Sequence, residues 1–312
     1  MKKWILLLFV LIFLTVLAIY VIIPSTIQVA VAIKLSCSPA SAARGLLQEE
    51  NWSKWLLPES ERVIINGKQP EGFSYSVNSR LNRELMIDIK NGRRVWPSRL
   101  YIIPELEDSV SLKWQCGIES GINPLARWKD YRKAAALQQD MRRVLVRLKA
   151  LLENGENIYD FRIVRTRVTD TVLISIRARY KNFPSTEEIY KLIEELRHYI
   201  KSQGAVETGY PMVHHDRIDH SGTETMVAIP VNRQLPQNGK FVYKRMVPGY
   251  ILVAEVKGGP ATVGRAFNEM ENYILDNQKQ KIAIPFESQV TNRMTNKDTS
   301  SWVTKVYFPI VK

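Results

Sequence analysis

Two stretches decide the fold of the C-terminal half: STEEIYKLIEELRHYI at residues 185–200 and GPATVGRAFNEMENYI at residues 259–274. Ser185 and Glu188 form the pattern of a capping box, and Pro260 opens the second stretch as a first-turn proline. Both stretches then carry one apolar stripe at helical spacing. The stripes match at a constant offset of 74 residues: Ile189–Val263, Leu192–Ala266, Ile193–Phe267, Leu196–Met270, Tyr199–Tyr273 and Ile200–Ile274. The sequence therefore predicts two copies of one helix.

The repeat extends beyond the helices. Pro211 and Pro285 keep the same offset, whereas the strand motifs at 229–231 (IPV) and 308–310 (FPI) are 79 residues apart, so a loop in the second copy is five residues longer. Each copy reads strand, helix, strand, strand. Since one copy cannot cover its own sheet, we expect the two to pack together over residues 158–312, with a concave site at their seam.

Three segments carry a resemblance to a known family: ETMVAIPV at 224–231, YILVAEVKGG at 250–259 and IPFESQ at 284–289. They resemble the gyrase-inhibitor-like, AraC-type effector-binding domain. The resemblance implies an α+β fold whose groove between the repeats binds amphipathic, often cationic, small molecules. It also implies a carboxylate at the groove floor, on the strand after the second helix, where Glu287 stands. The chain departs from the family pattern at Gln289, where tyrosine is usual, and at Lys257, where histidine is common.

Glu287 is the predicted ligand-binding acid. Alternation along a strand suggests that it faces the groove while Phe286 faces away. A cation held there would gain ion pairing and cation–π contacts of about 0.5–2 kcal/mol per ring. The candidate aromatic walls are Tyr180, Phe183, Tyr210 and Trp302. The alternative is a structural glutamate paired with a lysine or arginine, with each aromatic residue packed in the core.

The favoured function is a non-catalytic binder or sensor of a small amphipathic ligand. The alternative is a hydrolase that acts in the same groove through Glu287, with Glu255 as its acid–base partner if the two carboxylates converge. A transcription-regulator effector domain and a protein-binding role, as in gyrase inhibition, are two further readings of the same resemblance. No phosphate-binding loop, dinucleotide fingerprint or nucleophile elbow occurs, so no cofactor is expected.

The only histidine-rich stretch is HHDRIDH at residues 214–220. His214 and His215 are neighbours on an expected strand, so they point to opposite faces and cannot bind one ion together. No metal site is predicted. Cys37 and Cys116 are too few for a disulfide framework, and whether they pair stays open.

Residues 1–24 predict a membrane anchor. The 20 residues from Trp4 to Ile23 contain only Thr15 and Tyr20 as polar side chains, and a helix of this length crosses the roughly 30 Å hydrocarbon layer. A cleaved signal peptide is the alternative, given the small-x-small pattern at 30–32, but signal cores are shorter. The lysines at positions 2 and 3 predict a single pass with a cytoplasmic N-terminus and an exported body.

Residues 26–153 predict a separate α+β module. Alternating segments at 27–33, 62–65, 73–77, 85–89, 100–103 and 110–116 read as strands, with a short helix at Pro39, a turn at Asn91-Gly92 and a long helix from Pro124 to about Glu153. The segment NWSKWLLP at 51–58, with Trp52, Trp55 and Pro58, looks like the W-x-x-W-x-P region of START-like (SRPBCC) proteins, and NPLARW at 123–128 is similar to the entry of their last helix. The module therefore resembles their helix-grip fold. The tryptophans are expected to be core residues.

The net charge of +13 does not indicate nucleic-acid binding. The excess is spread evenly, about +6 over residues 4–153 and +5 over residues 154–312, whereas a DNA reader concentrates it on one element. We therefore expect no nucleic-acid partner; a protein partner is not specified by the sequence.

Overall fold

A computed structural model describes residues 2–56, 72–81, 83–106, 108–169, 172–218 and 222–311. The chain divides into two compact units, Met1–Asn154 and Gly155–Lys312. The strand predicted at 62–65 lies outside the described residues. The predicted α+β class is confirmed, with an apolar N-terminal helix, antiparallel sheets and a duplicated C-terminal unit.

Helix α1, Lys2–Ile22, is long and apolar enough to cross a membrane. The apolar part of this helix is not buried within the protein, and Trp4 is 79% exposed. Its last turns contact the beginning of the long helix α4 (Pro124–Leu152): the Tyr20 hydroxyl donates to the Ile122 carbonyl, and the Arg127 guanidinium lies 4.8 Å from the Tyr20 ring centre. The apolar side chains of α1 are thus exposed along most of the helix.

The first unit is built on a five-stranded antiparallel sheet in the order β1-β5-β4-β3-β2. Its strands are β1 Thr26–Leu35, β2 Ser74–Leu81, β3 Glu84–Asn91, β4 Arg94–Leu106 and β5 Ser109–Glu119. Helices α2 (Pro39–Leu47) and α3 (Trp52–Trp55) follow β1, and α4 follows β5. The β3–β4 turn is the predicted one, with Gly92 in the left-handed region at φ +59°.

One face of this sheet is buried with α4, since β5 alternates strictly between buried and more exposed positions. Trp55 and Trp114 are fully buried there, and the Trp114 indole donates to Ser98 Oγ at 2.9 Å. Large side chains therefore fill the interior. Trp128, near the beginning of α4, departs from the expectation of a core residue, since it is 49% exposed. Assignment to the START-like superfamily stays a prediction.

Both cysteines are free thiols. Burial raises the pKa of the Cys37 thiol to about 11, with a smaller contribution from Glu153, and burial alone raises the pKa of Cys116 to about 11. Both thiols are therefore protonated and unreactive near neutral pH.

The second unit contains an eight-stranded antiparallel sheet in the order β10-β7-β9-β8-β12-β13-β11-β6. Its elements are α5 Gly155–Tyr159, β6 Ile163–Arg167, β7 Val172–Tyr180, α6 Thr186–Ser202, β8 Met212–Ile218, β9 Gly222–Pro230, β10 Val242–Arg245, β11 Tyr250–Lys257, α7 Pro260–Asp276, β12 Phe286–Gln289 and β13 Val303–Ile310.

The predicted duplication is visible as β7-α6-β8-β9 and β11-α7-β12-β13, joined where β8 pairs with β12. Two short strands that the sequence analysis missed complete the sheet. Strand β6 precedes the first copy but pairs with β11 of the second, and β10 precedes the second copy but pairs with β7 of the first. The copies thus exchange their leading strands.

Both helices pack on the same face of this sheet. In the first copy α6 packs against Ile174, Val213 and Val227, and in the second α7 packs against Leu252 and Val306. The capping box of Ser185 and Glu188 is present, whereas α7 starts at Gly259 without a side-chain cap. The sheet therefore has a helix-covered face and an opposite face, and each strand residue belongs to one or the other.

Candidate functional site

Glu287 lies at the seam of the two copies, on the helix-covered face. In the strand register it pairs with Val213 on one side and Val306 on the other, and both valines belong to the helix-packed cores. Glu287 is only 7% exposed. Phe286, its neighbour, lies on the opposite face and lines a groove there. The acid therefore lies at the seam of the two copies and is enclosed, rather than at the floor of an open groove.

The positive group that compensates this carboxylate is the guanidinium of Arg293, itself 7% exposed. Arg293 Nη1 lies 3.3 Å from Glu287 Oε1, and Nη2 donates to Thr304 Oγ1 at 2.9 Å. The guanidinium carbon lies 4.9 Å from the ring centre of Trp302. The Glu287 carboxylate and the Trp302 ring thus hold an organic cation, which here is the guanidinium of the chain's own Arg293.

The loop between β12 and β13 delivers Arg293. Its backbone N–H donates to the Tyr190 hydroxyl at 2.8 Å, so helix α6 of the first copy holds the loop of the second. The Trp302 indole donates to the Asn296 carbonyl at 3.0 Å, which fixes the ring at the other end of the loop. This loop is five residues longer than the corresponding loop of the first copy.

Gln289 is the least satisfied polar group of the cluster. Its Nε2 donates to Glu287 Oε1 at 2.8 Å, but its Oε1 has no hydrogen-bond partner among the described residues, although Gln289 is only 3% exposed. A buried acceptor without a donor costs about 1–3 kcal/mol. The cluster therefore has room, in hydrogen-bonding terms, for one more donor.

His215 and Phe183 border the cluster on the first copy. The two ring centres lie 4.4 Å apart with the ring planes tilted by 47°, and His215 Nδ1 lies 3.0 Å from Thr225 Oγ1. Burial lowers the pKa of His215 to about 4, with smaller contributions from His214 and Arg293. The imidazole is therefore neutral near pH 7. Both rings line an open cavity of about 1060 Å³ that also includes Arg217.

The structure brings together only part of the predicted site. Trp302 is in contact with the cation at Glu287, and Phe183 lines the adjacent cavity. Tyr180 packs against the first helical core, where burial, with help from Glu188 and Glu195, raises its pKa. Tyr210 is 52% exposed. The sequence did not indicate Tyr190, His215, Arg293 or Thr304 as site residues, and Gln289 was noted only as a departure from the family pattern. The longer loop was the one signal that pointed to Arg293.

The paired-acid hydrolase is not supported, because Glu255 and Glu287 occupy opposite faces of the sheet. Glu255 alternates with Ala254 and Val256, which face α7, and it lines the groove on the other side. It is 3.7 Å from Lys305 in an exposed ion pair. The two carboxylates therefore cannot serve one substrate as acid and base.

The two adjacent histidines face opposite ways, as expected for a strand. His214 Nδ1 is 2.7 Å from the Pro285 carbonyl on one face, and His215 is on the other. His220 lies outside the described residues. Within the described ranges no group of three or more potential metal ligands occurs.

No protein-family model matches the sequence, and no curated protein matches it significantly. Among solved structures the chain is similar to the EcmrR C-terminal domain, at 18% identity and TM-score 0.43, covering 49% of this chain and 98% of that one. It is similar to a hydrolase from Listeria innocua, at 9% identity and TM-score 0.38, covering 48% and 91%. It is also similar to SAV2435 bound to tetraphenylphosphonium, at 15% identity and TM-score 0.30, covering 48% and 93%. At these values the similarities do not assign a ligand or an activity.

Proposed function

We propose that this chain is a membrane-anchored, non-catalytic binding protein for a small amphipathic cation. The ligand's positive group takes the place of the Arg293 guanidinium between Glu287 and Trp302, and helix α1 anchors the protein. The observation that carries the proposal is this buried arrangement of an acid, a cation and an indole at the seam of the duplication. It supplies the two contacts that an organic cation requires.

Replacing the Arg293 guanidinium with a ligand cation costs less free energy than leaving the Glu287 carboxylate without any cation. A carboxylate as buried as Glu287 is costly without a positive partner, so a ligand must enter as Arg293 leaves. A ligand with an N–H group would also satisfy the Oε1 atom of Gln289, which Arg293 leaves without a donor. Phe183, which is 64% exposed, offers an aromatic surface beside this cavity for the remainder of an amphipathic molecule.

Tetraphenylphosphonium, the cation named for the SAV2435 structure, is a suitable probe. Binding is measured by calorimetry on the full chain in lipid nanodiscs, with empty nanodiscs as the reference. We expect saturable binding that Glu287→Gln weakens at least tenfold and that Arg293→Met strengthens, since that variant removes the competing guanidinium.

The matched control is Glu255→Gln, which removes the same charge from the opposite face of the sheet and is expected to leave the affinity unchanged. The proposal is wrong if neither the natural chain nor Arg293→Met shows saturable binding. It is equally wrong if Glu287→Gln and Glu255→Gln weaken binding to the same extent.

A further inference from the structure

The face of the sheet opposite the helices contains a groove that the proposed function does not use. Its cavity of about 610 Å³ has an apolar floor that includes Met212, Ile251, Val253, Phe286 and Tyr307. The Phe286 and Tyr307 rings stack with their centres 4.9 Å apart. Met212 and Phe286 also line a neighbouring cavity of about 190 Å³, so the two cavities adjoin and are treated together as one groove. An apolar molecule of moderate size fits such a surface.

The charged side chains along this groove are almost all basic. They are Arg162, Arg167, Arg177, Lys244, Arg245 and Lys305, against the single acid Glu255. Glu255 is already paired with Lys305, and Arg177 is paired with Glu224 at 3.1 Å. Within the described part of the chain, Arg162, Arg167, Lys244 and Arg245 contact no carboxylate. Four cations therefore surround an apolar floor without a counter-charge.

We infer that this groove is a second binding site, for a small amphipathic anion such as a medium-chain carboxylate. The apolar part of the ligand lies on the floor formed by Phe286 and Met212, and the flexible methionine side chain adapts to irregular shapes. The anionic head is held by the unpaired basic side chains at the rim, by charge-assisted hydrogen bonds. The two faces of one sheet thus select opposite charges.

Decanoate and decyltrimethylammonium provide a probe pair of equal chain length and opposite charge. Each is titrated into the full chain in nanodiscs of neutral lipid, with empty nanodiscs subtracted. We expect saturable decanoate binding that the double variant Lys244→Gln/Arg245→Gln weakens at least tenfold. The double variant Arg142→Gln/Arg143→Gln, which also removes two positive charges but at exposed positions of α4, is the control and is expected to have no effect.

The result separates this site from the cation cleft, because Glu287→Gln is expected to leave decanoate binding intact. Absence of decanoate binding, or equal loss in the groove variant and the Arg142/Arg143 control, overturns the inference and leaves the cleft proposal standing. Binding of decyltrimethylammonium alone, lost in Glu287→Gln, supports the cleft and overturns the groove.

A second, independent observation concerns the beginning of α4. Four large apolar or aromatic residues there face solvent: Ile122 is 91% exposed, Leu125 72%, Trp128 49% and Tyr131 43%. The Trp128 and Tyr131 rings stack with centres 6.0 Å apart. We call these four residues the α4 apolar patch. Exposed clusters of this kind mark interaction surfaces.

The contacts of α1 place this patch at the level where the apolar helix ends. The Tyr20 hydroxyl, two residues before the last residue of α1, donates to the carbonyl of Ile122, which belongs to the patch. Lys129 and Arg132 are exposed beside it, while the carboxylate of Asp130 is buried and paired with Arg94 at 2.7 Å. Aromatic rings, aliphatic side chains and exposed cations at the end of a membrane-spanning helix are typical of a segment that contacts lipid headgroups.

The geometry points to insertion of the α4 apolar patch into the headgroup region of the bilayer that holds α1. This inference rests on the anchoring part of the proposed function. The first unit is then held against the membrane by a second contact, which restricts rotation about the anchor.

Spin labels test the placement in the full chain with both cysteines replaced by serine, reconstituted in phosphatidylcholine–phosphatidylglycerol vesicles. Labels are attached at Leu125→Cys in the patch, at Val146→Cys as an exposed control on the same helix, and at Leu11→Cys in α1. We expect the label at position 125 to be relaxed by oxygen and protected from a water-soluble nickel chelate, and the label at 146 to show the reverse.

Equal access of the nickel chelate to positions 125 and 146, with position 11 protected, overturns the patch and leaves the anchor intact. Access of the chelate to position 11 refutes the anchor, and the patch inference with it.

Discussion

The two copies in the second unit have the same elements but differ at their shared seam. At equivalent positions, 74 residues apart, the first copy has Val213 and the second has Glu287, and these two residues face each other across the β8–β12 pair. The following connections differ as well: β9 begins at Gly222, soon after β8, whereas the second copy places a long loop with Arg293 and Trp302 before β13.

The comparison shows how a duplication acquires a polar site without losing its core. Where the first copy has an apolar residue and a short connection, the second has an acid and a loop that provides a matching cation. The two changes depend on each other, because neither a buried carboxylate nor a buried guanidinium is tolerated alone. The first copy therefore serves as an apolar reference for the second.

Removing one member of the ion pair is expected to have the largest effect. Arg293→Met leaves the Glu287 carboxylate buried without a cation and should cost about 3–5 kcal/mol in the free energy of unfolding. The double variant Glu287→Val/Arg293→Met reproduces the apolar seam of the first copy and should recover most of that loss. Urea denaturation of the full chain in detergent, followed by circular dichroism, measures both. A double variant as unstable as the single one would contradict the dependence of acid and arginine on each other.

The short connection of the first copy depends on Gly222, whose φ is +120°. An added Cβ would lie 2.1 Å from the Tyr180 carbonyl oxygen, so Gly222→Ala should destabilise the domain by about 1–3 kcal/mol. The matched control is Gly264→Ala in α7, where nothing lies within 4 Å; there the same change should stabilise by up to about 1 kcal/mol. Equal effects of the two variants would remove the distinction between the connections.

The two copies also differ two residues after Val213 and Glu287, where His215 of the first copy is equivalent to Gln289 of the second. The folded-state pKa of His215 is about 4, below the ordinary 6.5, so the unfolded chain binds a proton first as the pH falls. Its contribution to stability is therefore complete above pH 6.5 and is lost as the pH falls from 6.5 towards 4, by about 1–2 kcal/mol for a partly exposed ring. His215→Gln should flatten that part of the stability–pH curve. An unchanged slope would refute the titration of this group.

The smallest expected effect concerns the starts of the two helices. Ser185 caps α6 through a reciprocal bond with Glu188, and Ser185→Ala should cost about 1 kcal/mol. Helix α7 starts at Gly259 without a side-chain cap, so Gly259→Ser should add a few tenths of a kcal/mol. Thermal unfolding of the two variants measures both changes. Stabilisation by Ser185→Ala would contradict the role of the cap.

The helical part of the duplication could be predicted because its apolar stripe repeats residue by residue. The orientation of Glu287 could not. Strand β12 has four residues, and all four are buried, so no alternation between buried and exposed positions indicates which face is which. The side of Glu287 follows only from its neighbours Val213 and Val306, which belong to other strands.

The missed strands have a similar explanation. Strand β6 contains three charged or polar side chains in five residues, and β10 has four residues, so neither shows an apolar period. Trp128 was expected in the core because tryptophan is usually buried, but it lies half exposed near the beginning of α4, where its ring stacks on Tyr131. Arg293 is remote from any motif, and its role depends on how the loop folds back.

The exchange of leading strands between the copies has a consequence for how the domain came to be and how it folds. If the first half of the domain were expressed alone, strand β6 would lack its partner β11, and strand β7 would have an unpaired edge because β10 belongs to the other half. Two such halves would complete each other's sheets only by exchanging these strands, as in a domain-swapped dimer. The fused chain is in effect that dimer made permanent, and it should unfold as one cooperative unit with no stable half-domain along the way.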